Sequence, residues 1–145
     1  MRALRKPRRA GSENGSSVVE TAIASIILIT MIFGIMVISL ALYTYHFISD
    51  AAREGTRYAI VRGSTCQGFP SACPASKSDV QTYVKGLGFP GIDPSAMTVT
   101  TSPSPVGSPG TTVNVTVQYR FPLAIPFLSA RTLTMTSSSQ MVVSQ

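Results

Sequence analysis

Two groups of residues in this chain have the type and spacing to do chemistry. The first is Gly15-Ser16-Ser17-Val18-Val19-Glu20, in which a small residue stands five positions ahead of a carboxylate and a long apolar run follows. A protease working at a membrane face needs an accessible small residue just before an apolar helix. Gly15 supplies it, and the serine pair keeps the region open. Cleavage there would give a chain that starts at Ser16 with a free amine and carries Glu20 as its fifth residue. A carboxylate at the entrance of a membrane helix is disfavoured. Asp at a helix centre costs roughly 2.5–3.5 kcal/mol on the insertion scale, and less near the ends. Pairing Glu20 with the new amine of a neighbouring copy would relieve that cost and set an axial register. The plainer reading has Glu20 in the first helical turn, at the interface, complementing the helix dipole.

The second group is Cys66 and Cys73, in a loop punctuated by Gly68, Pro70 and Pro74. Two thiols with no histidine nearby make a poor zinc site, which wants four ligands, so a disulfide is the expected state. Closing this short ring would contribute roughly 2–3 kcal/mol through loop entropy. The one histidine, His46, stands beside Tyr43 and Tyr45 and reads as an interfacial residue. With so few carboxylates and one histidine there is no acid–base or nucleophilic constellation, and no phosphate-binding glycine motif. The expectation is a protein that is not an enzyme and uses no cofactor and no metal. Asn114-Val115-Thr116 fits a glycosylation sequon, but it falls inside a strand pattern and is discounted.

The elements that position these residues follow from hydropathy and charge. From Thr21 to Ser49 there is no Asp, Glu, Lys or Arg. A run of that length can cross a bilayer, which needs about 20 residues. Arg2, Arg5, Lys6, Arg8 and Arg9 precede it, and flanking basic residues stay on the cytoplasmic side. That topology puts residues 1–15 in the cytoplasm as a disordered basic leader and everything after about Tyr45 outside the cell membrane. There the two cysteines meet an oxidising compartment. From Ser16 onward the net charge is only +2, from 7 basic and 5 acidic residues. The basic balance therefore belongs mainly to the leader and is not read as a nucleic-acid surface. A secretory signal has a shorter apolar core and a small-residue cleavage site, which this chain lacks.

Residues 16–62 read as one helix, transmembrane over about 18–45 and amphipathic beyond. Phe47, Ala51, Tyr58 and Ala59 recur on one side with Gly55 between them, and Asp50, Arg53, Glu54 and Arg57 lie on the other. Gly63-Ser64 marks its stop. Residues 63–145 make an outer α+β domain. A short helix is predicted over 78–88, capped by Ser78, with Val80, Tyr83, Val84 and Leu87 on one face and Gly88 at its end. Strands are predicted over 96–101, 112–121 and 132–143. The second alternates cleanly, Val113, Val115, Val117 and Tyr119 against Asn114, Thr116, Gln118 and Arg120, and in the third Leu133 and Met135 alternate. Residues 122–128, with two prolines, fit neither element. The fold class is thus α+β: a long amino-terminal helix packed on a small antiparallel sheet.

The stretch from Gly15 to Gly63 resembles the amino-terminal helix of the TadE/TadG-like family, pilin-like components of the tight-adherence (Tad, Flp-type) pilus system. Gly15-Ser-Ser-Val-Val-Glu20, the apolar run, Ala51-Ala-Arg-Glu-Gly-Thr-Arg-Tyr-Ala59 and Arg62-Gly-Ser64 carry the resemblance. Thr21 departs from the aromatic residue that often follows the glutamate. The resemblance implies cleavage between Gly15 and Ser16 by a prepilin peptidase, assembly through Glu20, and a role as a minor pilin or pseudopilin. Its partners would be the membrane, the peptidase, other pilin subunits and pilus assembly proteins. The competing readings are an uncleaved single-pass anchor displaying a small β-rich binding module, and a membrane-anchored enzyme domain.

Overall fold

A computed structural model describes residues 13–67, 73–88, 90–123 and 129–144. The leader up to residue 12, the tip of the cysteine loop at 68–72 and the apolar stretch 124–128 lie outside the described residues. Helix α1 runs Glu13–Ile60, helix α2 Lys77–Gly86, and strands β1 Met97–Ser102, β2 Thr112–Leu123 and β3 Arg131–Val142 follow. A 3-10 turn, Pro94–Ala96, leads into β1, with Asp93 capping it through the Ser95 amide. The strands form an antiparallel meander in the order β1-β2-β3. The architecture is the expected α+β one, a long apolar helix with a three-stranded antiparallel sheet.

Helix α1 has 48 residues and no proline, so nothing interrupts its hydrogen-bond ladder. It begins at Glu13, which puts Gly15 and the serine pair inside the helix rather than in an open leader. Its two halves differ in environment. The large side chains from Val18 through Leu40 project from the rest of the chain, Ala41 is the first to pack against the core, and Thr44, Phe47, Ile48, Ala51, Ala52, Thr56 and Ala59 are buried. The second half packs across β2 and β3, α2 packs beside it over β1, and the two helices touch. The core lies between this helical layer and the inner sheet face of Val99, Val113, Val115, Val117, Tyr119 and Met135. The alternation read in β2 is the observed burial pattern. The opposite face of Thr, Ser, Asn and Gln side chains meets solvent.

Helix α2 starts one residue earlier than its pattern suggested and ends at Gly86, two residues before the predicted Gly88. Its cap is Ser76, not Ser78. Asp79 returns a bond to the Ser76 amide (2.9 Å) and Ser76 Oγ accepts from the Asp79 amide, a capping box that satisfies two orphan donors. The Ser76 hydroxyl, which donates to Asp79 Oδ2 (2.6 Å), and after it the Ser76 amide hold the Asp79 carboxyl below the ordinary aspartate range. Gly88, at φ +64°, turns the chain away after the helix.

Pro122 belongs to β2, a central strand, where a missing N–H would normally break a ladder. Strand β1 begins at Met97, opposite Tyr119, so β2 has already become an edge there and no bond is lost on that side. At the other end of the sheet the chain is stitched together by its backbone. Ser144 N–H donates to Ile60 (3.0 Å), Ser64 to Gly107 (3.0 Å), Ala75 to Arg62 (2.9 Å) and Val106 to Ala75 (2.9 Å). The disulfide Cys66–Cys73 closes the loop beside these bonds, with Cα atoms 6.1 Å apart, which is bonding geometry for a cystine.

Candidate functional site: the amino-terminal helix and its docking stripe

The apolar half of α1 carries hydroxyls that do not make it polar. Thr21, Ser25, Thr30, Ser39 and Thr44 each donate to the carbonyl four residues earlier, at 2.7–2.9 Å. Each hydroxyl proton is satisfied within its own helix, which makes it acceptable in hydrocarbon. Among the described residues this is the one helix long and apolar enough to cross a membrane. The exposed Tyr43, Tyr45 and His46 stand where the uncovered half meets the domain.

Gly15, Ser16 and Glu20 sit at the exposed amino end of this helix. Ser16 and Glu20 are one helical turn apart and share a face, whereas five residues of rotation, roughly 140° from alignment, separate Glu20 from Gly15. A chain beginning at Ser16 would therefore present its amine and the Glu20 carboxylate on the same side of the helix. Nothing surrounds Gly15 within 4 Å of where a Cβ would stand, so its smallness serves no packing need in the single chain.

The segment Ala51–Ala59 is a different kind of device. Ala51, Ala52, Gly55, Thr56 and Ala59 form a stripe of small residues, all buried, on which the sheet and α2 rest. A Cβ on Gly55 would meet Val84 Cγ2 at 2.8 Å and Val115 Cγ1 at 3.1 Å, so only glycine lets the three elements come this close. Thr56 Oγ1 donates to Ala52 O (2.7 Å) and also approaches Ser139 O of β3 (3.3 Å). Asp50–Arg53 (3.5 Å) and Glu54–Arg57 (2.9 Å) pair on the solvated side, as their spacing favours. Tyr58 stacks on Tyr83 of α2 with ring centroids 4.2 Å apart, and the Arg62 guanidinium lies 3.8 Å over the Tyr58 ring. Sequence reading placed Gly55 on the packed side without assigning it a contact, and it missed the Tyr58–Tyr83–Arg62 stack altogether. The Ala51, Gly55, Ala59 spacing of four was the available signal for the first, and nothing local announced the second.

The two thiols considered for metal binding are joined to each other. Residues 15–57 match the family model described as "TadE-like protein". Searches of curated proteins and of solved structures return no match.

Proposed function

With its amino-terminal helix that of a TadE-like protein, we propose that this chain is a minor pilin or pseudopilin of a tight-adherence pilus or related secretion apparatus. It inserts with its basic leader in the cytoplasm, is trimmed after Gly15 by a prepilin peptidase, and assembles with other pilin subunits through α1. The carrying observation is the uncovered apolar half of α1, from Val18 to Leu40, lying within the family-matched segment. A helix whose large side chains are exposed for that length needs lipid or other helices around it. The outer α+β domain supports this reading too, because it is fixed to the same helix without a linker and would be carried wherever the helix is taken.

In this reading Glu20 is the assembly residue. Its carboxylate, at the apolar boundary, pairs with the Ser16 amine of a neighbouring copy, although its own Ser16 lies one turn away and competes for it. The test is the amino-terminal sequence of protein purified from its own membranes, followed by Glu20→Ala. A start at Ser16, with assembly lost in Glu20→Ala while membrane insertion persists, supports the proposal. A start at Met1 in cells that hold the peptidase overturns it.

One observation favours a second reading. Gly15 and Ser16 are helical, and a peptidase must take its substrate extended. An uncleaved single-pass anchor displaying the outer domain as a binding module needs no such unwinding, and it predicts that Glu20→Ala is displayed normally.

A further inference from the structure

The sheet is almost without charge. From Pro94 to the end of the sequence there is no Asp or Glu, and the only basic residues are Arg120 and Arg131. Both fall at the same end. In the β2–β3 register the last four pairs are Arg120 with Thr134, Phe121 with Leu133, Pro122 with Thr132, and Leu123 with Arg131. Leu133 shares the helix-facing side of this sheet end with Arg131 and is 46% exposed, whereas Arg120, paired with Thr134, projects from the opposite side of the same end. Outside α1, Leu133 and Val142 are the exposed large hydrophobic residues among those described, and Val142 lies at the opposite end of β3.

The height of this end along α1 can be fixed. Thr56 Oγ1 lies 3.3 Å from Ser139 O, and Ser144 N–H bonds Ile60 O, so β3 and α1 run in the same direction. From Ser139 back to Arg131 is about 26 Å of strand, equal to roughly 17 residues of helix. A strand inclined to the helix reaches less far, so the start of β3 falls level with the stretch from about Ser39 to Tyr45. Ala41 indeed packs against the core, and cover from the domain ceases beyond it. That is the stretch where the apolar half of α1 ends and the exposed Tyr43 and Tyr45 stand.

We infer that this end of the sheet is a lipid-binding surface, with Leu133 entering the bilayer interface beside α1 and Arg120 and Arg131 engaging anionic phospholipid headgroups. The inference rests on the proposal that α1 spans the membrane. The exposed leucine continues the apolar surface of the helix at the depth where that surface would leave the hydrocarbon. Interfacial tyrosines and two cations that form no ion pair among the described residues suit a headgroup layer of negative potential.

The chain contains no tryptophan, so one introduced indole reports its own surroundings. The full chain, as Leu133→Trp, Val142→Trp or Leu28→Trp, would be placed in vesicles of phosphatidylcholine and phosphatidylglycerol. The phosphatidylcholine would be brominated either near the glycerol or near the chain end. Leu133→Trp is expected to lose roughly half its emission to the shallow bromines, as an interfacial side chain should. Val142→Trp should be unaffected, and Leu28→Trp should be quenched by the deep bromines. Adding Arg120→Gln and Arg131→Gln to Leu133→Trp should weaken the shallow quenching, most of all in vesicles rich in phosphatidylglycerol. If Leu28→Trp is quenched and Leu133→Trp is not, the inference is overturned while the span stands. A blue-shifted but unquenched Leu133→Trp would assign this surface to another protein copy and overturn it equally. An unquenched Leu28→Trp removes the span and the inference with it.

Discussion

Gly55 and Val84 hold α1 and α2 together at a separation that admits no further carbon, since a Cβ on Gly55 would lie 2.8 Å from Val84 Cγ2. Valine is stiff at χ1 and cannot swing its methyl aside. Gly55→Ala gains up to about 1 kcal/mol of helix propensity but suffers overpacking of roughly 1–3 kcal/mol, so a net loss near 1 kcal/mol is expected. Thermal melting in detergent followed by circular dichroism reads it. In Gly55→Ala/Val84→Ala the two losses should fall short of additive, because the second change opens the space the first requires. Strict additivity would mean that the close approach is not what glycine is there for.

Cys66→Ser/Cys73→Ser should lower the stability of the α+β domain by roughly 2–3 kcal/mol, the loop-closure contribution of a ring this size. Reductant should shift the melting of the parent chain by the same amount and leave the double variant unmoved.

Asp79 gives the α+β domain that follows α1 an acid limit. Its folded pKa is lowered, first by the Ser76 hydroxyl and then by the Ser76 amide. A depressed carboxylate contributes stability that is fully present above its unfolded value, about 4, and is lost as pH falls through the folded value. Denaturant midpoints should therefore decline below pH 4. Ser76→Ala should lower stability at neutral pH by about 1 kcal/mol through loss of the cap and flatten part of that decline. An unchanged acid slope in Ser76→Ala would separate Asp79 from the effect.

Gly15→Phe should leave α1 intact, since open space surrounds the position, and should block trimming. Mass spectrometry of membrane protein is expected to find the leader retained on this variant alone. Trimming of Gly15→Phe at the normal bond would mean that the small residue is not what marks the site.

Much of this was readable where a single periodicity governs. Val113, Val115, Val117 and Tyr119 alternate because one face of β2 lies on helices and the other in water, and period two is all that such burial requires. The cap of α2 was misplaced by two residues because two serines compete. Asp79 stands three positions after Ser76, and that spacing would have decided between them. Leu133 follows the strand alternation yet is exposed, because the sheet outruns its core at that end, and overhang is a property of relative lengths that no local pattern carries. The Tyr58–Tyr83 stack is likewise a product of how α1 and α2 cross. The roles proposed for Glu20 and Gly15 rest on a boundary of hydropathy in the sequence, and the fold adds only that both lie at the exposed amino end of α1.

The hydroxyls bent back onto α1 leave that helix with a smooth, chemically uniform shaft. Between Val18 and Leu42 its only ionisable side chain is Glu20, and no other side chain there has an uncommitted proton to offer. Neighbouring helices could turn or slide against such a shaft without exchanging hydrogen bonds, meeting resistance only from shape. If the proposed pairing of Glu20 with a neighbouring amine holds, all axial memory of a bundle built from this helix lies at one end, and the bundle can stretch or twist along its length and return to register when that pair re-forms.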